Sequence, residues 1–289
     1  MGKTKSILNI LVYCFAIIGF VLVFGYFAVK FGWTNEKGII DRQNEAFYEL
    51  GSLNSTENST LDIKEDTATA SSQKNLPQWA VGEEWEIFKK AVSKDINVIR
   101  EASAASDIKE RLIVAQLVVE QLRLYHTNRA IFKSVFAPLK LLGNQSQFSW
   151  GIMGIKQNTA KQIERNLKLP DSPFYPGKKY EHLLDFKTDN QDKERFDRIV
   201  DEKNHYHAYL YAGLYLKEVE TQWKKAGYDI SNRPDVLSTL FNIGFDRSMP
   251  SDDPKVGGSR IDIGKKTYSF GGLADEFYHS DELILEFPR

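Results

Sequence analysis

Glu120 is the acidic side chain whose sequence surroundings best suit proton transfer. It follows the mostly apolar run 112–119, and Leu117 and Leu124 lie three residues before and four residues after it, on one face of a helix. Burial against apolar walls disfavours the charged form of a carboxyl group, so such a group keeps its proton near neutral pH and can deliver it to a glycosidic oxygen. The alternative is a surface carboxylate paired with Arg123 at i+3, which would oppose acid catalysis.

A glycine-containing loop follows at 147–160, with the sequence Gln-Phe-Ser-Trp-Gly-Ile-Met-Gly-Ile-Lys-Gln-Asn-Thr-Ala. Gly151 and Gly154 allow a backbone with positive φ or the close approach of a ligand, although an ordinary turn would explain them equally well. Ser149 could donate a hydrogen bond to a sugar, and Trp150 could stack on one, with core packing as the alternative for Trp150. An acid on an apolar helix that faces such a loop suits a glycan-cleaving site.

Four motifs in order resemble the lytic transglycosylase and goose-type lysozyme superfamily. They are Glu120 at a helix end, Gly-Ile-Met-Gly-Ile-Lys-Gln-Asn-Thr-Ala at 151–160, Ala-Gly-Leu-Tyr-Leu at 212–216 and Phe-Asn-Ile-Gly at 241–244. The resemblance covers about 108–244 and implies a mainly α, lysozyme-like domain without a cofactor. It also implies that Glu120 acts first as acid and then as base, while the substrate N-acetyl group is the nucleophile and the muramic acid 6-hydroxyl replaces water. The implied product carries a 1,6-anhydromuramoyl end.

The resemblance also implies a set of substrate-binding residues around the acid. Met153 corresponds to a loop residue that shapes the cleft, and Asn242 to one that fixes the substrate or the acid, with the core and a helix C-terminal cap as the respective alternatives. The full predicted set is Ser149, Trp150, Gly151, Met153, Gly154, Phe241 and Asn242.

Three positions depart from the family pattern, and the spacing between acid and loop is longer than usual. Gln121 stands where the family has serine, Gly154 where it has glutamine, and Phe241 where it has tyrosine. The additional segment 122–146 could wall a groove or dock a partner. These departures support a second hypothesis, a catalytically degenerate module that keeps the groove and binds or scaffolds the cell envelope.

Other chemistry finds less support in the sequence. A glycosidase with two carboxylates needs a second acid, and Asp246, Asp252 and Asp253 are candidates without a motif, so we interpret them as solvated loop acids. His205 and His207 at i, i+2 would point apart on a helix, and no third ligand has suitable spacing, so no metal is predicted. The formal net charge of −1 argues against a general nucleic-acid binder.

The N-terminal region predicts a single membrane anchor at 6–30 after a cytoplasmic tail at 1–5. Residues 6–29 carry no charge, and 24 residues are long enough to span a bilayer core as a helix. A cleaved signal peptide would be shorter and end in a small-residue cleavage site. Lys3 and Lys5 favour a cytoplasmic N-terminus, which places the rest of the chain on the periplasmic side of a bacterial inner membrane. The one cysteine, Cys14, lies in this segment, so no disulfide can form within the chain.

A juxtamembrane segment and polar linker at 31–75 are predicted to tether the folded domain to the anchor. Ser, Thr, Asn, Asp and Glu dominate residues 51–75, which cannot bury enough apolar surface to offset their ordering entropy. Asn54 and Asn58 begin Asn-x-Ser/Thr triplets, which leaves open a third possibility, a eukaryotic or viral membrane glycoprotein.

The domain at 76–289 is predicted to be mainly α with a minor β-hairpin. Apolar periodicity predicts helices at 83–93, 96–102, 108–125, 129–142, 159–167, 192–226 (possibly broken) and 234–242. Thr159 and Gln162 have capping-box spacing at the start of one helix, and a hairpin is expected to turn at Gly264 before a last short helix.

Together these features predict a membrane-anchored peptidoglycan lytic transglycosylase with Glu120 as its catalytic residue. Its expected partners are glycan strands, in which it would cleave the bond between N-acetylmuramic acid and N-acetylglucosamine. A hydrolytic muramidase and the degenerate envelope module remain as alternatives.

Overall fold

A computed structural model describes residues 19–20, 23–24, 76–81, 83–126, 149–201 and 204–289. The predicted linker at 31–75, the helix at 129–142 and nearly all of the anchor at 6–30 lie outside the described residues. Residues 19–20 and 23–24, inside the predicted anchor, are helical. Among the described residues, no helix is both long enough and apolar enough to cross a membrane.

The described part of the domain is mainly helical, which confirms the predicted class. Its helices are α1 (Glu83–Lys94), α2 (Ile96–Ser106), α3 (Glu110–His126), α4 (Gln157–Leu167), α5 (Gln191–Ile199), α6 (Tyr206–Lys225), α7 (Pro234–Ile243) and α8 (Phe270–His279). Two antiparallel hairpins complete it: β1 (Ser149–Trp150) with β2 (Ile155–Lys156), and β3 (Arg260–Ile263) with β4 (Lys266–Ser269). Short 3₁₀ turns occur at Gln78–Ala80, Lys178–Tyr180 and Phe245–Arg247.

Helix α3 lies at the centre of the hydrophobic core. Residues 111–120 are all buried, and α2, α6, α7 and α8 surround the helix. A helix that is apolar on every side cannot remain at a surface, so the other helices pack around it. The core extends along the chain from Trp79 to Phe287. Because Glu120 lies on this helix, its side chain is buried in the interior.

Most predicted elements are confirmed with shifted ends. The predicted helix at 192–226 is broken into α5 and α6, and the second hairpin turns at Gly264, whose φ is +60°. The predicted capping box is wrong: α4 begins at Gln157, so Thr159 is the third residue of the helix and its hydroxyl does not cap it. The hairpin β1–β2 runs directly into α4, and this junction sets the helix start.

The Arg111 guanidinium joins α3 to the C-terminal end of the chain. It is fully buried and donates hydrogen bonds of 2.8–3.1 Å to five backbone carbonyls, those of Phe277, Tyr278, Ser280, Glu282 and Phe287. These carbonyls belong to the end of α8 and the tail after it, where several have no helical partner. Burial lowers the pKa of Arg111 to about 10, which leaves it charged at neutral pH.

We expect Arg111→Met to destabilise the protein by roughly 3–5 kcal/mol, because it leaves several buried carbonyls without a donor at a cost of about 1–3 kcal/mol each before relaxation. Urea unfolding of the full-length protein in detergent micelles measures the loss. Arg100→Met is the matched control, since the Arg100 side chain is half exposed and lies 3.6 Å from the Glu110 carboxylate and 3.5 Å from the Glu286 carbonyl. Equal losses for the two variants would contradict a central role for Arg111.

A second buried polar group, Glu218 on α6, lies in the core without a cation. Its side chain has no exposed surface, and its Oε2 accepts a hydrogen bond of 2.9 Å from Asn166, which in turn accepts one from Ser172. Burial raises the pKa of Glu218 well above its ordinary value, and the Asn166 hydrogen bond opposes this only partly. Burial therefore favours the neutral form of Glu218 in the folded protein.

The neutral Glu218 predicts that stability falls as pH rises. Glutamate in an unfolded chain has a pKa of about 4.3. Above that pH the unfolded chain releases a proton that the folded chain keeps. The free energy of unfolding therefore falls by up to about 1.4 kcal/mol per pH unit. Glu218→Gln removes this titration, so its unfolding free energy should depend less steeply on pH as the pH rises above about 4.3. Glu101→Gln, at an exposed position, is the control; parallel wild-type and Glu218→Gln curves would refute the assignment.

Candidate active site around Glu120

Glu120 lies in the third quarter of α3, and its carboxylate is almost fully buried. The side chain retains 3% exposure. It is held by Arg123, whose Nη2 lies 2.6 Å from Oε1 and 2.7 Å from Oε2, while its Nε lies 3.1 Å from Oε2. Arg123 is itself buried. The i, i+3 pair that the sequence offered as an alternative is therefore present, but inside the protein and not at its surface.

The glycine loop forms the turn of hairpin β1–β2 and lies over this carboxylate. Ser149 pairs with Lys156 and Trp150 with Ile155, so four residues connect the two short strands. Gly151 and Gly154 have φ values of +60° and +62°, and the Gly154 amide donates to the Gly151 carbonyl over 3.4 Å. Both glycines therefore supply the left-handed backbone that side chains rarely adopt.

The contact between Gly154 and Glu120 is too close for any side chain. A Cβ on Gly154 would lie 2.0 Å from Glu120 Oε1, and a Cβ on Gly151 would lie 2.1 Å from the carbonyl oxygen of Ile199 at the end of α5. The turn is thus held between the carboxylate of α3 and the last residue of α5. This gives a physical reason why glycine occupies position 154.

Gln121 connects the same turn to α3. Its Nε2 donates a hydrogen bond of 2.6 Å to the carbonyl of Ile152. This hydrogen bond ties the turn to the residue that follows Glu120 in α3. The structure therefore brings together Glu120, Gln121, Arg123 and the turn at 151–154.

Met153 lies in the interior of the protein. It has no exposed surface and belongs to the hydrophobic core. This agrees with the core alternative for Met153, and its predicted role in shaping the cleft stays a prediction. The backbones of Ser149 and Trp150 form β1, whereas their side chains lie outside the described residues.

Phe241 and Asn242 are held by a different set of contacts near the end of α7. The half-buried Phe241 ring meets Tyr215 edge-on at 5.3 Å and stacks with Phe270 at 6.4 Å. Asn242 Oδ1 accepts hydrogen bonds from the backbone amide and hydroxyl of Ser259, at 2.8 and 3.0 Å. Asn242 thus lies inside α7 and fixes the loop before β3, which makes its observed contacts structural.

The remaining candidates occupy other regions. Asp246, Asp252 and Asp253 are exposed, as expected of solvated loop acids. His205 contacts Asp95 at 2.6 Å, while burial, followed by the positive charge of Arg198, lowers the pKa of His207 to about 4. Within 76–81, 83–126, 149–201 and 204–289, no group of three or more His, Cys, Asp or Glu side chains could hold a metal ion.

A surface depression that the sequence did not suggest lies between the start of α3 and the end of α6. It has a volume of about 310 Å³ and is lined by residues that include Lys109, Lys217, Glu220, Lys224 and Asp229. Burial raises the pKa of Glu220 to about 7, with Asp229 adding to the effect and Lys217 opposing it. The depression does not include Glu120. The chain at 127–148, which joins α3 to the first hairpin, lies outside the described residues.

Comparison of the chain with protein-family models, with curated proteins and with solved structures found no match.

The close contact between Gly154 and Glu120 predicts that a methyl group added at position 154 will greatly lower the free energy of unfolding. Gly154→Ala should lose about 1–2 kcal/mol through its positive φ and about 1–3 kcal/mol more through collision with the Glu120 carboxylate. Gly227→Ala isolates the first effect, because Gly227 has a φ of +93° and a methyl group there would meet no other atom within 4 Å. Urea unfolding measures the free energy of unfolding that each variant loses relative to the wild-type protein.

A double-mutant cycle tests why Gly154→Ala should lose more stability than Gly227→Ala. In a Glu120→Ala background, the cost of Gly154→Ala should fall toward that of Gly227→Ala, since the colliding carboxylate is gone. An unchanged cost would show that Glu120 is not the group that excludes a side chain at position 154.

Proposed function

We propose that this chain is a membrane-anchored peptidoglycan lytic transglycosylase with Glu120 as its single catalytic carboxyl group. The observation that carries the proposal is the direct contact between the Glu120 carboxylate and Gly154. These residues come from the first and second of the four ordered motifs, and they are 34 positions apart in the chain. Their contact brings the first two motifs together in space.

The proposed reaction uses Glu120 twice. As acid, it gives a proton to the oxygen that leaves when the bond between N-acetylmuramic acid and N-acetylglucosamine breaks. The substrate N-acetyl oxygen attacks the anomeric carbon, and Glu120, now a carboxylate, takes the proton from the muramic acid 6-hydroxyl as that oxygen closes the anhydro ring. The enzyme thereby returns to its protonated state without a cofactor or a metal.

Glu120 lies on the buried, mostly apolar part of α3, beside the Arg123 guanidinium. In the described arrangement both Glu120 oxygens are engaged by Arg123. Catalysis therefore requires this ion pair to open before proton transfer.

Location in the envelope belongs to the same proposal. An anchor at 6–30 would hold the chain in a bacterial inner membrane, and the linker to residue 75 would let the domain reach glycan strands on the periplasmic side.

The alternative is a degenerate module that binds or scaffolds peptidoglycan without cleaving it. The closed Glu120–Arg123 pair favours it, because both carboxylate oxygens accept hydrogen bonds from Arg123 and the Glu120 side chain is almost fully buried. The second supporting feature is Phe241, which lacks the hydroxyl of the family tyrosine and packs against Tyr215 and Phe270. The two functions differ in whether sugar products form.

Digestion of purified sacculi by the full-length protein in detergent micelles tests the proposal. We expect soluble fragments with anhydro ends, and a loss of about 10²–10⁴-fold in rate for Glu120→Gln, which is isosteric but cannot cycle a proton. Glu101→Gln, exposed on α2, should retain the wild-type rate.

Each other outcome selects a different function. Full activity of Glu120→Gln would rule out Glu120 as the catalytic group. Reducing ends in place of anhydro ends would identify a hydrolytic muramidase. Sacculus binding without any product from the wild-type protein would identify the scaffolding module.

A further inference from the structure

Three lysine side chains line the depression between the start of α3 and the end of α6. Lys217 and Lys224 lie seven residues apart on α6, which is about two helical turns, so they share one face of that helix. Lys109 immediately precedes α3 and belongs to the other wall. The volume of about 310 Å³ is at the lower end of the range for small-molecule sites. Ammonium groups from two parts of the chain therefore border a space that suits a small ligand.

Two of these ammonium groups are held only loosely by the protein. Lys217 Nζ lies 3.7 Å from the Glu220 carboxylate, and Lys109 Nζ lies 3.5 Å from the side-chain oxygen of Asn232. Both distances exceed the value of about 2.7–2.9 Å that is typical of charge-assisted hydrogen bonds. Lysine carries its charge on a flexible four-carbon stem. Lys109 and Lys217 can therefore turn toward a ligand without first breaking a strong contact.

The three acidic side chains of the depression oppose an anion less than their number suggests. Asp107 is already paired with Lys179, and Asp229 accepts a hydrogen bond of 2.9 Å from the backbone amide of Ser231. Burial raises the pKa of Glu220 to about 7, so this carboxyl group carries only part of a negative charge at neutral pH. The depression therefore offers an incoming ligand more positive than negative charge.

A tetrahedral anion fits this arrangement better than a planar carboxylate does. A carboxylate is matched best by the guanidinium fork, and the described lining of the depression contains lysines but no arginine. Ammonium groups act as point charges with rotatable donors, so several of them can contact different oxygens of one phosphate. Helix α3 also begins here, and the N-terminal end of a helix carries partial positive charge that favours anions.

We propose that the depression between α3 and α6 binds a phosphate group, with Lys109, Lys217 and Lys224 as its cationic contacts. Two sources share this chemistry: free inorganic phosphate and the phosphodiester headgroup of a phospholipid. The depression does not include Glu120, so this binding site goes beyond the proposed function and does not depend on it.

Calorimetry on the full-length protein in micelles of a non-ionic detergent tests the site. The probes are sulfate, inorganic phosphate, acetate and glycerophosphoglycerol, which is the headgroup of phosphatidylglycerol without its acyl chains. Each is titrated in a phosphate-free buffer at pH 8 and constant ionic strength, because salt screens exposed charges. We expect sulfate and phosphate to bind about tenfold or more tightly than acetate, since a dianion gains about twice the Coulomb energy from the same cations.

The order of the two phosphate probes identifies the source of the ligand. Tighter binding of glycerophosphoglycerol than of inorganic phosphate would assign the site to a lipid headgroup. The reverse order would assign it to free phosphate.

Variants of the lining residues separate this site from the general charge of the protein. Lys217→Gln and Lys224→Gln should each weaken sulfate binding about five- to tenfold. Lys265→Gln, which removes an exposed lysine at the turn between β3 and β4, should leave the affinity unchanged. Asp229→Asn and Glu220→Gln should strengthen sulfate binding at pH 8, because each removes a negative charge that borders the same space. Opposite effects from neighbouring residues cannot arise from a general loss of folding.

Two results would overturn the assignment of a phosphate site to the depression. One is sulfate binding by the wild-type protein that is no tighter than acetate binding. The other is an equal sulfate affinity in the wild-type protein, Lys217→Gln and Lys224→Gln. Cleavage of sacculi through Glu120 is a separate measurement, so failure of the phosphate site and failure of the proposed function are distinguishable.

Discussion

The buried guanidinium of Arg111 fixes the helix on which the candidate site is built. Its five carbonyl partners follow it by 166 to 176 residues in the chain, so one side chain ties the start of α3 to the end of α8 and the tail. Trp79 and Trp85 add to this junction by donating to Glu276 and Glu282. Glu120 lies nine residues further along the same rigid helix, about 14 Å of helix rise away, so its position follows from this anchor.

The two arginines of α3 illustrate different uses of a buried cation. Arg111 donates to neutral carbonyls of its own chain, which cannot leave and cannot change their charge. Arg123 donates to the carboxylate of Glu120, three residues before it on the same helix. The first arrangement joins elements that are distant in the chain, whereas the second fixes the position of one acidic side chain within α3.

The sequence predicted those features whose causes are local. Apolar periodicity located α1 to α3 and α7, and glycine marked the turns at 151–154 and 264. The Glu120–Arg123 pair was visible as an i, i+3 spacing. Features caused by distant residues were not predictable: the partners of Arg111, the burial of Glu218 and Glu220, and the inward face of Met153 all depend on how helices pack. The start of α4 at Gln157 was missed because hairpin β1–β2 determines it, not a capping side chain.

Glycine at position 154 has a physical explanation in the geometry of the site. A glutamine there would occupy the space filled by the Glu120 carboxylate, which Arg123 holds beneath the turn, so the short turn and the closed ion pair are compatible only with glycine. The side-chain amide of Gln121 donates to the Ile152 carbonyl and so ties the turn to α3. Glycine at 154, glutamine at 121 and arginine at 123 therefore form one arrangement. These three positions are coupled because each contacts, or holds in place a group that contacts, the single buried carboxylate of Glu120.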